Sequence, residues 1–245
     1  MKKTVLITAI LIFLLLFFAC IYFMYPKDKD YVTFKSRTEE IKKSELNKKT
    51  TVYGWIQVQG TNIDYPVIEE NELAYLSGIN YIWRVNTYKE GENREVISGH
   101  NMLNVSSKPL IADPTHTRFE QLMSFVDYGF AKKNLYIQYT KDGRDELYKI
   151  YAIGFWNRED DEADSLTQEE IDDYVKKVRN NSIYDYDVQV NNRDTIISLI
   201  TCTRYFGSSK KTNFKVDARK VRKNEKIQKY SVVTNENYDI INYDR

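Results

Sequence analysis

Thr195-Ile196-Ile197-Ser198-Leu199-Ile200-Thr201 is a short run of β-branched and aliphatic residues that ends at a cysteine, Cys202. Apolar residues at both parities over so few positions describe a strand covered on both faces. Such a strand delivers Cys202 to the rim of its sheet, beside a loop that holds Gly207, Ser208 and Ser209. Beyond that loop, residues 213–221 read as a second strand. Upstream, Tyr53-Gly54-Trp55-Ile56-Gln57-Val58 and residues 60–68, 94–98, 135–139 and 147–153 share the same richness in β-branched and aromatic residues between turn formers. Asp142-Gly143, between the last two, predicts a hairpin turn. One helix interrupts the series. Thr167-Gln168-Glu169-Glu170 has capping-box spacing, and Ile171, Tyr174, Val175 and Val178 follow at helical intervals, with Lys176, Lys177 and Arg179 toward the end. The pattern predicts a mostly β chain with peripheral helices, a largely antiparallel barrel on which the apolar stripe of that helix packs.

The chain has 245 residues, and 36 Lys+Arg against 35 Asp+Glu leave a formal net charge of +1. Nucleic-acid affinity needs cations concentrated on one surface, and neither the total nor the distribution supplies them, so no nucleic-acid partner is expected. With 42% hydrophobic and 14% aromatic residues, the chain has the material for a core. No Pro/Gly/Ser-rich linker divides its interior, which favours one folded domain.

Residues 4–25 carry no charge. About 20 apolar residues cross the roughly 30 Å hydrocarbon layer as a helix. Lys2 and Lys3 precede this segment and a nearly neutral Pro26-Lys27-Asp28-Lys29-Asp30 follows it, which retains the N-terminus on the cytoplasmic side and exports the rest. A cleaved signal peptide is the rival reading, but no A-x-A site follows the run. A lipoprotein site at Cys20 lacks the expected Leu. The organisation expected is a cytoplasmic start and single-pass anchor at residues 1–25, a helical or stalk segment at 26–51 and an extracellular domain at 52–245.

Of two cysteines, Cys20 lies in the apolar segment, so Cys202 is the lone thiol of the exported part, without a disulfide partner. A lone thiol outside the cytosol is open to oxidation. Two readings stand: a nucleophile, or a small apolar core residue. As a nucleophile it needs an imidazole or another cation close by. His100 follows Val96-Ile97-Ser98-Gly99, a strand ending at a glycine. His116 sits in the turn-like Asp113-Pro114-Thr115-His116-Thr117. His100 is preferred because a strand end holds a side chain more firmly than a loop. The run at residues 159–164 is acidic, but such a run before a helix is ordinarily a solvated N-terminus, and no metal or other cofactor is expected. No phosphate loop, zinc spacing or serine elbow occurs.

Gly54-Trp55-Ile56, Gly60-Thr61-Asn62-Ile63-Asp64-Tyr65-Pro66-Val67, Ser98-Gly99-His100-Asn101-Met102 and Ile200-Thr201-Cys202-Thr203 together resemble the sortases, membrane-anchored cysteine transpeptidases of Gram-positive bacteria. The helix before the cysteine strand is most similar to class B. The resemblance covers residues 52–221. It implies an eight-stranded sortase barrel and a two-step acyl transfer. Cys202 would attack a Thr carbonyl in the C-terminal sorting signal of a secreted protein, and His100 would protonate the departing amine. An amine of a peptidoglycan precursor or a pilin would then take the acyl group, which also implies roles in cell-wall anchoring or pilus assembly. Thr201 and Thr203 would shape the pocket or simply bond the strand end.

The family carries an Arg on the strand after the cysteine, before an aromatic-x-Val pattern. Here that place reads Thr212-Asn213-Phe214-Lys215-Val216, with Asn213 where the Arg is expected. Three alternatives remain for the third catalytic role: Arg204, Arg219 under a different alignment, or Asn213 as a neutral donor. Arg204 is preferred, because Arg219 on a regular strand stands roughly 20 Å from Asn213 at ~3.3 Å per residue. The missing Arg also motivates a rival function, a catalytically weak protein that binds sorting signals or assists pilus assembly. A third possibility is an unrelated β-domain with a structural cysteine.

Overall fold

The computed structural model describes residues 31–46, 51–69, 82–84, 93–101, 119–158, 166–207 and 212–238. The barrel belongs to Phe34–Arg245, one of two compact units, the other being Met1–Thr33. Ten strands are described: β1 (Val52–Val58), β2 (Asp64–Glu69), β3 (Ile82–Arg84), β4 (Arg94–Gly99), β5 (Tyr136–Lys141), β6 (Arg144–Asn157), β7 (Tyr184–Tyr186), β8 (Ile196–Thr203), β9 (Thr212–Lys220) and β10 (Val232–Thr234). Eight of them close a barrel in the order β1-β2-β3-β4-β8-β9-β6-β5, sealed by the pairing of β1 with β5. The expected eight-stranded, mostly β architecture is therefore present. Two pairs are parallel, β2 with β3 and β4 with β8; the other barrel pairs are antiparallel.

The double-sided apolarity of β8 has a direct cause. Ile197 and Leu199 are buried on one parity and Ile196, Ser198 and Ile200 on the other. One parity fills the barrel with Ile97, Phe155, Phe214 and Val216, and the other lies beneath a helix. That helix, α3 (Ile171–Asn180), buries Ile171, Val175 and Val178 as its spacing predicts. It begins four residues after Thr167. Thr167 instead closes a preceding turn, its backbone N–H and its hydroxyl both donating to the Glu170 carboxylate at 2.9 and 2.8 Å. Gly154 lets the end of α3 approach β6: a Cβ there would stand 2.3 Å from the Asn181 carbonyl oxygen. The hairpin at Asp142-Gly143 has φ of 50° and 69°, the double left-handed turn that suits the strand twist.

The remaining elements include α1 (Thr38–Leu46), a 3-10 helix (Glu120–Val126) and α2 (Tyr128–Ala131). The segment expected to be helical or a stalk contains α1 and lies in part against the barrel wall. Ile41 packs on Val52 and Ile68, and Arg37 forks onto Asp64, with Nε 3.0 Å from Oδ1. The short strands β3, β7 and β10 carry too few residues to show a period in sequence. No helix among the described residues is long and apolar enough to cross a membrane, and the expected anchor at residues 4–25 lies outside them.

Candidate active site

Strands β4 and β8 run side by side in register from Arg94 with Ile196 to Ser98 with Ile200. The paired register ends there; carried two residues further, it would set His100 opposite Cys202. In-register residues of parallel strands point to the same side, their backbones about 4.8 Å apart. Polar bonds hold the register to its end: the Ser98 hydroxyl donates to the Ile200 carbonyl at 3.3 Å and the Thr201 hydroxyl to the Gly99 carbonyl at 2.7 Å. Beyond the strand, the His100 carbonyl accepts from the Phe119 N–H at 3.2 Å, so the backbone of the histidine stays fixed after pairing stops. Cys202 is the penultimate residue of β8 rather than the residue after it. It is a free thiol, half-buried, between the buried Thr201 and Thr203.

Across the other edge of β8, Asn213 of β9 is the direct antiparallel partner of Cys202. Trp156 of β6 in turn opposes Asn213. Same-face residues of neighbouring strands thus form a row, Cys202, Asn213 and Trp156, on the outer wall of the barrel. Two residues past Trp156, Arg158 returns to this row: its Nε donates to the Asn213 Oδ1 at 3.1 Å. Arg158 was not among the residues expected from sequence, since 55 positions separate it from Asn213. A cation two residues beyond a strand's apolar pattern was the available signal.

The loop after Cys202 is tied down. The Thr203 hydroxyl accepts from the Tyr205 N–H at 3.1 Å, and Gly207 N–H closes a turn on the Arg204 carbonyl at 2.8 Å. Tyr205 and Phe206 both lay their rings on Phe155, with centroids 4.8 Å away in each case. Arg204 is exposed on this turn.

Beneath the row lies a polar layer covered by α3. The Asp217 carboxylate accepts from the Ser198 hydroxyl at 2.5 Å and from the Tyr174 phenol at 2.6 Å, while Arg94 Nε donates to the Ser198 hydroxyl at 2.9 Å. The Arg94 guanidinium lies 4.2 Å from the centre of the Tyr174 ring. Burial raises the Tyr174 phenol well above its ordinary range, Arg94 opposing and the Asp217 charge adding to that shift, so the phenol stays a neutral donor. Lys215, opposite Ile200, is buried with its ammonium 3.8 Å from the Trp156 ring centre. These groups bolt α3 to the wall that carries Cys202.

Other residues expected at the site lie elsewhere or have other work. Arg219 pairs with Ile196 at the far end of β9 and is buried against Glu225, to which its Nη2 donates at 2.9 Å, so it does not meet Cys202. Thr201 is buried and its hydroxyl is spent on Gly99; it fixes the register of the site instead of lining a pocket. His116, Ser208, Ser209 and the acidic run at 159–164 lie outside the described residues. Among the described residues, no group of three or more His, Cys, Asp and Glu is arranged to hold a metal ion.

The chain matches no family model. It is 26% identical to sortase B of Listeria monocytogenes over 64% of each chain, and 25% identical to sortase B of Staphylococcus aureus over 68% of each. By sequence this chain is similar to the class B sortases. Its fold agrees: the crystal structure of sortase B from Clostridium perfringens superposes with a TM-score of 0.60 at 23% identity, covering 75% of this chain and 100% of that one. In sequence, the match to the Listeria relative spans just under two thirds of that relative's length.

Proposed function

We propose that the chain is a class B-like cysteine transpeptidase that cleaves a C-terminal sorting signal of secreted proteins and passes the acyl group to an amine of a peptidoglycan precursor or of a pilin. The observation that supports the reading is the parallel pairing of β4 with β8, which ends two residues before His100 on one strand and two residues before the half-buried, free Cys202 on the other. In the first step the thiolate sulfur bonds to the scissile carbonyl carbon and the π pair moves onto oxygen. Collapse of that tetrahedral centre breaks the C–N bond, and His100 gives the leaving amine its proton. The incoming amine repeats the sequence on the thioester, losing its proton to His100 and expelling Cys202. Amine outcompetes water through positioning rather than through intrinsic reactivity. Residues 4–25 anchor the chain in this reading, with the N-terminus cytoplasmic and the barrel outside the cell.

Asn213 favours one competing reading, a binder of sorting signals that turns over weakly or not at all. The two part in one experiment on the full-length chain in detergent, with a Thr-containing sorting-signal peptide as probe. Transpeptidation predicts an intact-mass increase equal to the N-terminal peptide fragment less one water, mapped to Cys202 and removed by hydroxylamine. Peptide that is retained by the protein yet never cleaved would establish the binder instead.

A further inference from the structure

Attack by a thiolate places negative charge on the carbonyl oxygen, and an acyl-transfer site needs a donor aimed at that oxygen. Among the described residues, four cations on β9, on the turn after β8 and just past β6 are candidates by position. Arg219 is at the far end of β9 and committed to Glu225. Lys215 is buried, with its ammonium on the Trp156 ring. Arg204 sits on the exposed turn past the strand end. Arg158 is joined by a hydrogen bond to the residue directly opposite Cys202.

The bond also has a polarity. Arginine has no acceptor, so the Asn213 amide must turn its oxygen toward Arg158, which leaves its NH2 on the other side. The guanidinium spends one N–H on the amide oxygen and keeps further donors on a rigid planar fork. Antiparallel partners stand about 5 Å apart at Cα, which puts the amide within side-chain reach of a carbonyl held at the sulfur.

We propose that Arg158, held by Asn213, supplies the cation that stabilises the carbonyl oxygen during acyl transfer at Cys202. Asparagine on β9 thus borrows its charge from the end of β6. The inference rests on the transpeptidase reading and adds to it a catalytic residue.

Steady-state kinetics of the full-length chain on the sorting-signal peptide test it, with the thermal midpoint recorded for each variant. Arg158→Ala lowers kcat/KM by about 100-fold, mostly in kcat, since the oxygen carries its charge only in the transition state. Because Arg158 is exposed, the midpoint stays within a few degrees of wild type. Arg158→Lys recovers little, a point charge being a poor substitute for the fork. Asn213→Arg placed in the Arg158→Ala background returns most of the lost kcat, because the guanidinium then stands on β9 itself. Arg204→Ala stays within about threefold of wild type. Arg158→Ala turning over at the wild-type rate, in a chain that forms the Cys202 thioester, overturns this inference alone. A wild-type chain that forms no thioester overturns the parent reading as well.

Discussion

Cys202→Ala leaves a chain that folds normally and forms no thioester, with peptide cleavage reduced by at least ~10³-fold, to the floor of the assay. No other nucleophile is available on the row, because the flanking hydroxyls are committed: Thr201 donates to Gly99, and Thr203 caps Tyr205. The folding half of the prediction follows from the surroundings of the sulfur. It is half-buried at a strand end, so its removal opens no enclosed cavity, and unfolding free energy changes by less than about 1 kcal/mol. A structural cysteine gives the opposite pattern, a lower midpoint with peptide chemistry intact. Chromatographic assay of peptide cleavage alongside calorimetry separates the two.

His100→Ala produces the second large effect, a loss of about 10² to 10⁴ in kcat/KM, the range supplied by a positioned acid–base group. The scaffold survives because the variant keeps the backbone carbonyl that binds Phe119 and the β4–β8 register set by Ser98 and Thr201. Both acylation and the return of the acyl group to an amine slow, since one imidazole serves both as acid and as base. The pH–rate profile also loses the limb that reports the imidazole. A His100→Ala chain with wild-type rate and an unchanged profile would remove the histidine from the mechanism.

Much of this arrangement is legible in the linear chain, for physical reasons. Cys202 and His100 each end an apolar strand, and strand ends announce themselves by the switch from β-branched residues to polar ones. Asp142-Gly143 is legible because left-handed φ at two successive positions is nearly restricted to such pairs. The stripe of α3 shows because a 3.6-residue period survives in ten residues. By contrast, the role of Ser198 was invisible: a serine in an apolar run reads as strand, and only the β8–β9 register brings Asp217 to it and α3 brings Tyr174. Of the two readings for Thr201, strand-end bonding is the one its hydroxyl shows, and its partner strand is distant in sequence. Arg158 depends on the pairing of β6 with β9, whose register shifts between Ile150 and Ala152; no local pattern encodes that bulge.

Proximity of Cys202 and His100 underlies every step above, and a cross-link measures it directly. In-register neighbours on parallel strands have Cα atoms within the 4.4–6.8 Å range that a disulfide spans. Mild oxidation of the full-length His100→Cys variant, followed by non-reducing peptide mapping, should recover residue 100 joined to Cys202 in most of the protein. Recovery of both thiols free and alkylatable, under conditions that oxidise a control dithiol, would place the two side chains apart and contradict the site.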